Sequence, residues 1–198
     1  MTAPIVIHAS DLPAQPWRNG GGRTRELLTR PPGTREWRLR ISLAEVDRAG
    51  PFSSFPGIHR WFAVVEGAGV RLSLDGREQL LRPGDTPIAF SGELPVSCSL
   101  VDGATTDLNL MHAGGCGWMA WAQSGVPCRL ELPRRGLFTR VAGHWSTAGK
   151  PPLALSAHCL LWLDQAADAD WIFVAADADA MAPALWLGFE DGEGSSVS

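Results

Sequence analysis

Lysine is almost absent from this chain. Lys150 is the single one, and arginine supplies 16 of the 17 basic residues. Long apolar runs are missing too. No window approaches the roughly 18 uninterrupted apolar residues of a membrane span. The opening residues have neither a basic start nor an extended hydrophobic stretch, so no secretory leader is expected. The expectation is a soluble, cytoplasmic protein with no membrane partner. Cysteine is sparse: Cys98, Cys116, Cys128 and Cys159 show no Cys-x-x-Cys or other metal-like spacing. In such a chain they are expected to stay reduced, as small core residues or incidental thiols. A net charge of −4 argues against a blanket polyanion-binding surface, so nucleic acid is not expected as a partner.

Charge of one sign is also absent locally. Residues 151–198 hold eight acids and no base, whereas residues 1–60 hold nine arginines against five acids. Arginine near the front suits a small carboxylate, which its planar fork grips through two parallel hydrogen bonds. Pairing with the acidic C-terminal half is the alternative use of the same residues.

Helical periodicity is scarce, and what replaces it is a regular series of turns. Glycine, proline and aspartate signals recur every eight to twelve residues, from Pro31-Pro32-Gly33 to Asp102-Gly103. Strand-length segments lie between them: Glu36–Leu43, Trp61–Glu66, Val70–Leu74, Gln79–Leu81, Thr86–Phe90, Val96–Val101 and Asp107–Met111. Asp75-Gly76 is a strong hairpin signal. A second series covers Cys128–Leu132, Leu137–Val141, Ser156–Leu163, Trp171–Ala175 and Leu185–Phe189. Ala113–Gly125 reads as a helical or irregular crossover, and the Ala/Asp-rich stretch 164–182 has room for a turn or two of helix. The pattern predicts an all-β sandwich or barrel in two β-rich halves, 1–112 and 113–198, with Glu190–Ser198 as a frayed tail.

The densest segment is Trp17-Arg18-Asn19-Gly20-Gly21-Gly22-Arg23-Thr24-Arg25-Glu26. One reading is a turn leading into a strand, since Asn-Gly and Gly-Gly are ordinary turn dipeptides. The other is a ligand-contacting segment, because a turn alone needs no tryptophan, amide and Arg/Glu pair. A phosphate-loop reading is weak: the Gly-Lys-Ser/Thr ending is missing and no clear helix follows. Ser53 lacks a Gly-x-Ser-x-Gly elbow, which argues against a serine hydrolase.

Further along, Phe52-Ser53-Ser54-Phe55-Pro56-Gly57, Glu66-Gly67-Ala68-Gly69 and Pro83-Gly84-Asp85 follow one another in the order strand, Glu-Gly-x-Gly, hairpin, Pro-Gly-Asp, strand. That order resembles the core of the cupin fold, a small antiparallel jelly-roll barrel whose mouth holds a ligand. Cupin enzymes usually hold a metal with histidines and a glutamate. Here there is no His-x-His, only His59 lies near the first motif, and no histidine follows Pro83-Gly84-Asp85 until His112. His8, His144 and His158 stand alone. No metal and no cofactor are expected.

Taken together, residues 17–26, Arg38-x-x-x-Ser42, Phe52-Ser53-x-Phe55-Pro56-Gly57-x-x-Arg60 and Asp107-x-Asn109-x-Met111 resemble the HutD/Ves family, chiefly over residues 12–112. The resemblance implies a double-stranded β-helix of cupin type, a metal-free bicupin with two barrel-like halves, found with bacterial histidine utilisation. It further implies a small-molecule-binding modulator of that pathway, with urocanate or formylglutamate as natural candidate ligands.

The residues themselves support an anion site. Strand side chains alternate, which places Arg38, Arg40 and Ser42 on one face of their segment and Asp107 and Asn109 together on another. The candidate ligand-binding set is Arg18, Asn19, Thr24, Arg25, Glu26, Arg38, Ser42, Ser53, Arg60, Asp107 and Asn109. Arginines would neutralise a carboxylate, Asn19 and Ser53 would orient it, and Glu26 would hold an arginine or a ligand N–H. A solvated outer face for Arg38 and Arg40, and a structural ion pair for Asp107, are the competing readings. Phe52 and Phe55 read as core or pocket wall. A second hypothesis is a metal-free cupin isomerase, lyase or hydrolase with Glu26 or Asp107 as general base. A third is a protein-interaction role with the nine tryptophans as an interface. A homodimer is left open.

Overall fold

The computed structural model describes residues 3–34, 36–166 and 169–192. Apart from one 3₁₀ turn at Ala9–Asp11, the regular structure in it is strand. The strands are β1 (Ile5–His8), β2 (Gln15–Pro16), β3 (Gly22–Arg30), β4 (Leu39–Val46), β5 (Gly50–Pro51) and β6 (Ile58–Glu66). They continue with β7 (Val70–Leu74), β8 (Arg77–Leu81), β9 (Ile88–Ser91), β10 (Val96–Leu100), β11 (Thr105–Ala113) and β12 (Cys116–Ala122). The last six are β13 (Arg134–Thr139), β14 (Gly143–Thr147), β15 (Leu153–Leu155), β16 (Cys159–Leu163), β17 (Trp171–Ala175) and β18 (Ala184–Glu190). Among the described residues no helix is long and apolar enough to cross a membrane.

Contacts divide the chain into two compact units. One comprises Leu12–Gly117 with Asp191 and Gly192; the other joins the residues up to Asp11 to Trp118–Glu190. This partition differs from halves at 1–112 and 113–198 mainly because β1 pairs antiparallel with β16, Ile5 opposite Trp162 and His8 opposite Cys159.

The Leu12–Gly117 unit has two sheets: six strands ordered β2-β3-β4-β11-β6-β9, and four ordered β5-β10-β7-β8. Its core collects residues from both: Val46, Phe62, Val64 and Phe90 from the first; Val70, Leu72, Leu81, Val96 and Cys98 from the second. Such a core forms because every second side chain of a strand points inward, and burying each large apolar one contributes about 1.5–3 kcal/mol. The hairpin at Asp75-Gly76 is as expected. Both residues take positive φ (48° and 78°), the geometry that matches a two-residue turn to the twist of β7 and β8.

The other unit also has two sheets, β1-β16-β13-β18-β12 and β15-β14-β17. Its core is aromatic. Trp171 stands edge-on to Trp145 (5.1 Å, 80°) and to Trp186 (6.2 Å, 62°). All nine tryptophans of the chain are buried or half-buried. Cys98 and Cys159 are buried free thiols, while Cys116 is exposed and Cys128 half-buried.

Three local expectations change. Ala113–Gly125 is not a helical crossover; it contains β12, whose Met119 and Ala122 are buried. Cys128–Leu132 forms no strand, only a bridge from Cys128 to Trp171. The 164–182 stretch carries β17 and turns rather than helix among its described residues. Alanine favours a helix only weakly where neighbouring strands offer backbone partners. Of the expected tail, residues 193–198 lie outside the described residues.

Candidate functional site

The glycine-rich segment is a turn that docks on β4 and then becomes β3. Trp17 N–H donates to Gly22 O (2.9 Å) and Gly20 N–H to Trp17 O (3.0 Å), closing it on itself. Asp47 N–H and Arg48 N–H both donate to Gly21 O, at 2.9 and 3.1 Å. The glycines serve different ends. Gly20 has φ +67°, a conformation that L side chains rarely adopt, whereas a Cβ on Gly22 would lie 2.3 Å from Glu45 O. Asn19 Oδ1 accepts from Gly21 N–H at 3.0 Å, and Trp17 Nε1 donates to Thr24 Oγ1 at 2.7 Å.

This turn borders a cavity of about 490 Å³. Pro16, Trp17, Arg18, Asn19 and Thr24 line it from β2, the turn and β3; Arg40, Ser42 and Ala44 from β4; Pro51, Phe52, Ser53 and Phe55 from β5 and the loop after it. Arg60 of β6 and Asn109 and Met111 of β11 complete the lining. Register explains the company: Arg40 and Arg60 both stand opposite Met111, and Ser42 stands opposite Asn109. Cross-strand partners share a face.

Arg60 dominates the electrostatics. It is 9% exposed, and its Nε donates to Asn109 Oδ1 at 2.8 Å. Its guanidinium lies over Phe52 (4.4 Å to the ring centre), with Phe90 at 5.5 Å and Phe62 at 5.8 Å. Among the described residues it has no carboxylate within 4.0 Å. Burial pushes its pKa down to about 10, opposed by the Asp107 charge, so the cation persists at neutral pH. Arg40, by contrast, donates from Nε to Glu26 Oε2 at 3.0 Å. Arg18 is exposed and Ser42 buried.

The structure brings Arg18, Asn19, Thr24, Ser42, Ser53, Arg60 and Asn109 to one cavity. It places the other four predicted residues outside the lining. Arg25 turns to the opposite side of β3 from Thr24 and pairs with Glu45, as does Arg23. Glu26 is exposed and engaged by Arg40. Arg38 precedes β4 and lies 3.7 Å from Asp191. Asp107 is wholly buried; its Oδ2 accepts from Thr105 Oγ1 at 3.1 Å, and Oδ1 has no partner. Desolvation pushes its carboxyl up to about 7, against the pull of the Thr105 bond and of Arg60. Neither proposed general base, Glu26 or Asp107, therefore borders the cavity.

Arg40, Trp17, Ala44 and Met111 line the cavity in addition to the expected residues. Strand alternation reaches Met111 from Asn109 and Ala44 from Ser42. Phe52 and Phe55 are pocket wall. The lining contains no His, Cys, Asp or Glu, so its donor set does not fit the divalent ion of cupin enzymes. His59 and His112 stack across β6 and β11 at 5.4 Å, but no group of three or more metal-ligating side chains occurs among the described residues.

The HutD family model matches residues 9–180. An uncharacterised 21.2 kDa protein in the hutC 3′ region of Pseudomonas putida is 44% identical over 113 residues, 54% of this chain and 57% of that protein. Protein Ves of Escherichia fergusonii is 39% identical over 102 residues, 50% of this chain and 53% of its own length. The chain thus spans little more than half the length of these curated relatives. A conserved protein of unknown function from Pseudomonas aeruginosa PAO1 superposes with a TM-score of 0.84 at 30% identity, covering 96% of this chain and all of that one. HutD from Pseudomonas fluorescens SBW25, in a formate condition, gives 0.80 at 28% identity over 97% of this chain and 100% of its own. Solved cupin-type structures at 7% and 11% identity align with TM-scores of 0.69 and 0.63, a likeness that shows the jelly-roll fold alone.

Proposed function

This chain belongs to the HutD family, and on that premise we propose that it binds a small carboxylate metabolite and thereby modulates histidine utilisation. The pathway half of this reading rests on the family and on the hutC-region location in the name of the P. putida relative. The binding half rests on one observation. Arg60 is a buried guanidinium, fixed by Asn109 and three phenylalanine rings, that borders a cavity and has no carboxylate partner within 4.0 Å among the described residues.

A buried cation with no carboxylate in direct contact is costly, and a ligand that supplies one recovers part of that cost. The terminal nitrogens of Arg60 suit a bidentate carboxylate, each charge-assisted bond contributing about 1.5–3 kcal/mol. Ser42 adds a hydroxyl and Arg18 a second cation at an exposed position. Trp17, Phe52 and Phe55 form an apolar wall for the planar part of the ligand. A cavity of this volume falls in the usual range of about 300–1,000 Å³ for small-molecule sites. Urocanate and formylglutamate both combine a carboxylate with a planar polar group.

The test is calorimetric titration of wild type and Arg60→Met with urocanate and with N-formylglutamate, with chromatography of the ligand afterwards. Saturable binding by wild type, lost in Arg60→Met, with the ligand intact, is the expected result. Absence of binding for both compounds overturns the reading; consumption of either replaces it with a metal-free cupin enzyme.

A further inference from the structure

Asp107 shares the inward face of β11 with Asn109 yet makes no contact with the cavity. It is fully buried, one oxygen is without a hydrogen-bond partner, and it forms no ion pair within 4.0 Å among the described residues. A carboxyl so placed either takes up a proton or keeps its charge with the help of a nearby cation. Arg60 of β6 donates to Asn109, the next side chain along on the same face of β11, and Thr105 on its own strand donates to Asp107 Oδ2 at 3.1 Å. Asp107 is thus the counter-charge of Arg60 until something else takes that role.

We propose that Asp107 is a positioning residue that couples anion binding to a proton. A ligand carboxylate docking on Arg60 takes over as its counter-ion, and the Asp107 carboxyl then accepts one proton from solvent. The charge balance is closed. Above neutrality, Arg60 is positive and Asp107 negative before binding; afterwards, Arg60 is positive, the ligand carboxylate negative and Asp107 neutral. This inference rests on the reading that the cavity takes a carboxylate.

The other titratable groups in reach do not compete for the proton. Cys98 of β10 is held as a thiol, pushed up to about 12 by burial and by the Asp107 charge. Arg60 stays protonated at neutral pH. Arg40 of β4, which also acts on Arg60, is engaged by Glu26. Asp107, pushed up to about 7, is the group poised to change charge near neutrality. The sign follows directly. In acid Asp107 already holds its proton and binding needs none. Above neutrality each binding event must load one, so affinity falls as pH rises.

Calorimetry of wild type with N-formylglutamate, in two buffers of different ionisation enthalpy, tests this without any variant. Proton uptake approaching one per ligand is expected at about pH 8, with Kd weakening about fivefold or more between pH 6.5 and 8.5. Asp107→Asn should bind with no proton uptake and a flat pH profile. Should that variant fail to fold, an infrared difference spectrum of wild type should gain a protonated-carboxyl band on ligand addition. Binding without proton uptake overturns this inference and leaves the carboxylate site standing. Absence of wild-type binding at any pH sinks both.

Discussion

Arg60 Nε donates to Asn109 Oδ1 over 2.8 Å, a side-chain bond from β6 to β11 that orients the guanidinium in the cavity. Removing the acceptor should leave Arg60 charged but loosely held. Asn109→Ala is therefore expected to weaken carboxylate binding by about tenfold, the worth of one such bond. Arg25→Ala should leave binding within about twofold of wild type, because Arg25 pairs with Glu45 outside the lining. Calorimetric Kd values for the two variants distinguish a built anion site from a general attraction of arginines.

The three consecutive glycines should differ in tolerance. Gly22→Ala drives a Cβ to 2.3 Å from the Glu45 carbonyl, a clash with backbone that cannot rotate away. A loss of about 2–4 kcal/mol is expected. Gly20→Ala meets no atom within 4 Å and bears only its positive φ, about 1–2 kcal/mol. Urea midpoints that ranked Gly20→Ala as the worse variant would contradict the docking of this turn on β4.

Thr24→Val removes the acceptor of the half-buried Trp17 indole N–H. A destabilisation of about 1 kcal/mol is expected, with a change in tryptophan emission as the ring at the cavity border loses its anchor. Trp17→Phe should abolish any ligand-induced emission change that originates there.

Two buried groups give stability opposite dependences on pH. The Asp107 carboxyl is raised from 3.8 to about 7, so its contribution is fullest below 3.8 and is lost as pH rises to about 7. Asp107→Asn should gain on wild type by a few kcal/mol between those limits. His112 is lowered below 6.5 by burial, so its contribution is full above 6.5 and lost as pH falls further. His112→Gln should flatten that acid-side loss. Denaturant unfolding across pH checks both slopes.

Much of the fold was legible because strands announce themselves locally. Asp75-Gly76 carries its own backbone requirement, and the alternation of Arg40 with Ser42 and of Asp107 with Asn109 is a property of any extended chain. β12 was not legible, since Trp, Ala, Met and Gly at 116–122 suit a strand only when β18 supplies the ladder. The site was legible in part. Arg18, Asn19, Thr24, Ser42, Ser53, Arg60 and Asn109 do meet, yet Arg25 and Arg38 have the same chemistry and face elsewhere. Which of two arginines on neighbouring positions looks inward depends on where the strand begins, and Arg38 precedes β4.

By itself the sequence determined an all-β chain, a glycine turn with its pendant side chains, and an arginine-rich front, because each depends on residues close in the chain. Tertiary structure decided the rest. It gave Glu45 to Arg25 and Glu26 to Arg40, and left Arg60 with no carboxylate within 4.0 Å among the described residues. It also buried Asp107 within electrostatic reach of that cation. Those outcomes turn on register across β3, β4, β6 and β11, which sets distance and desolvation between residues up to 49 positions apart.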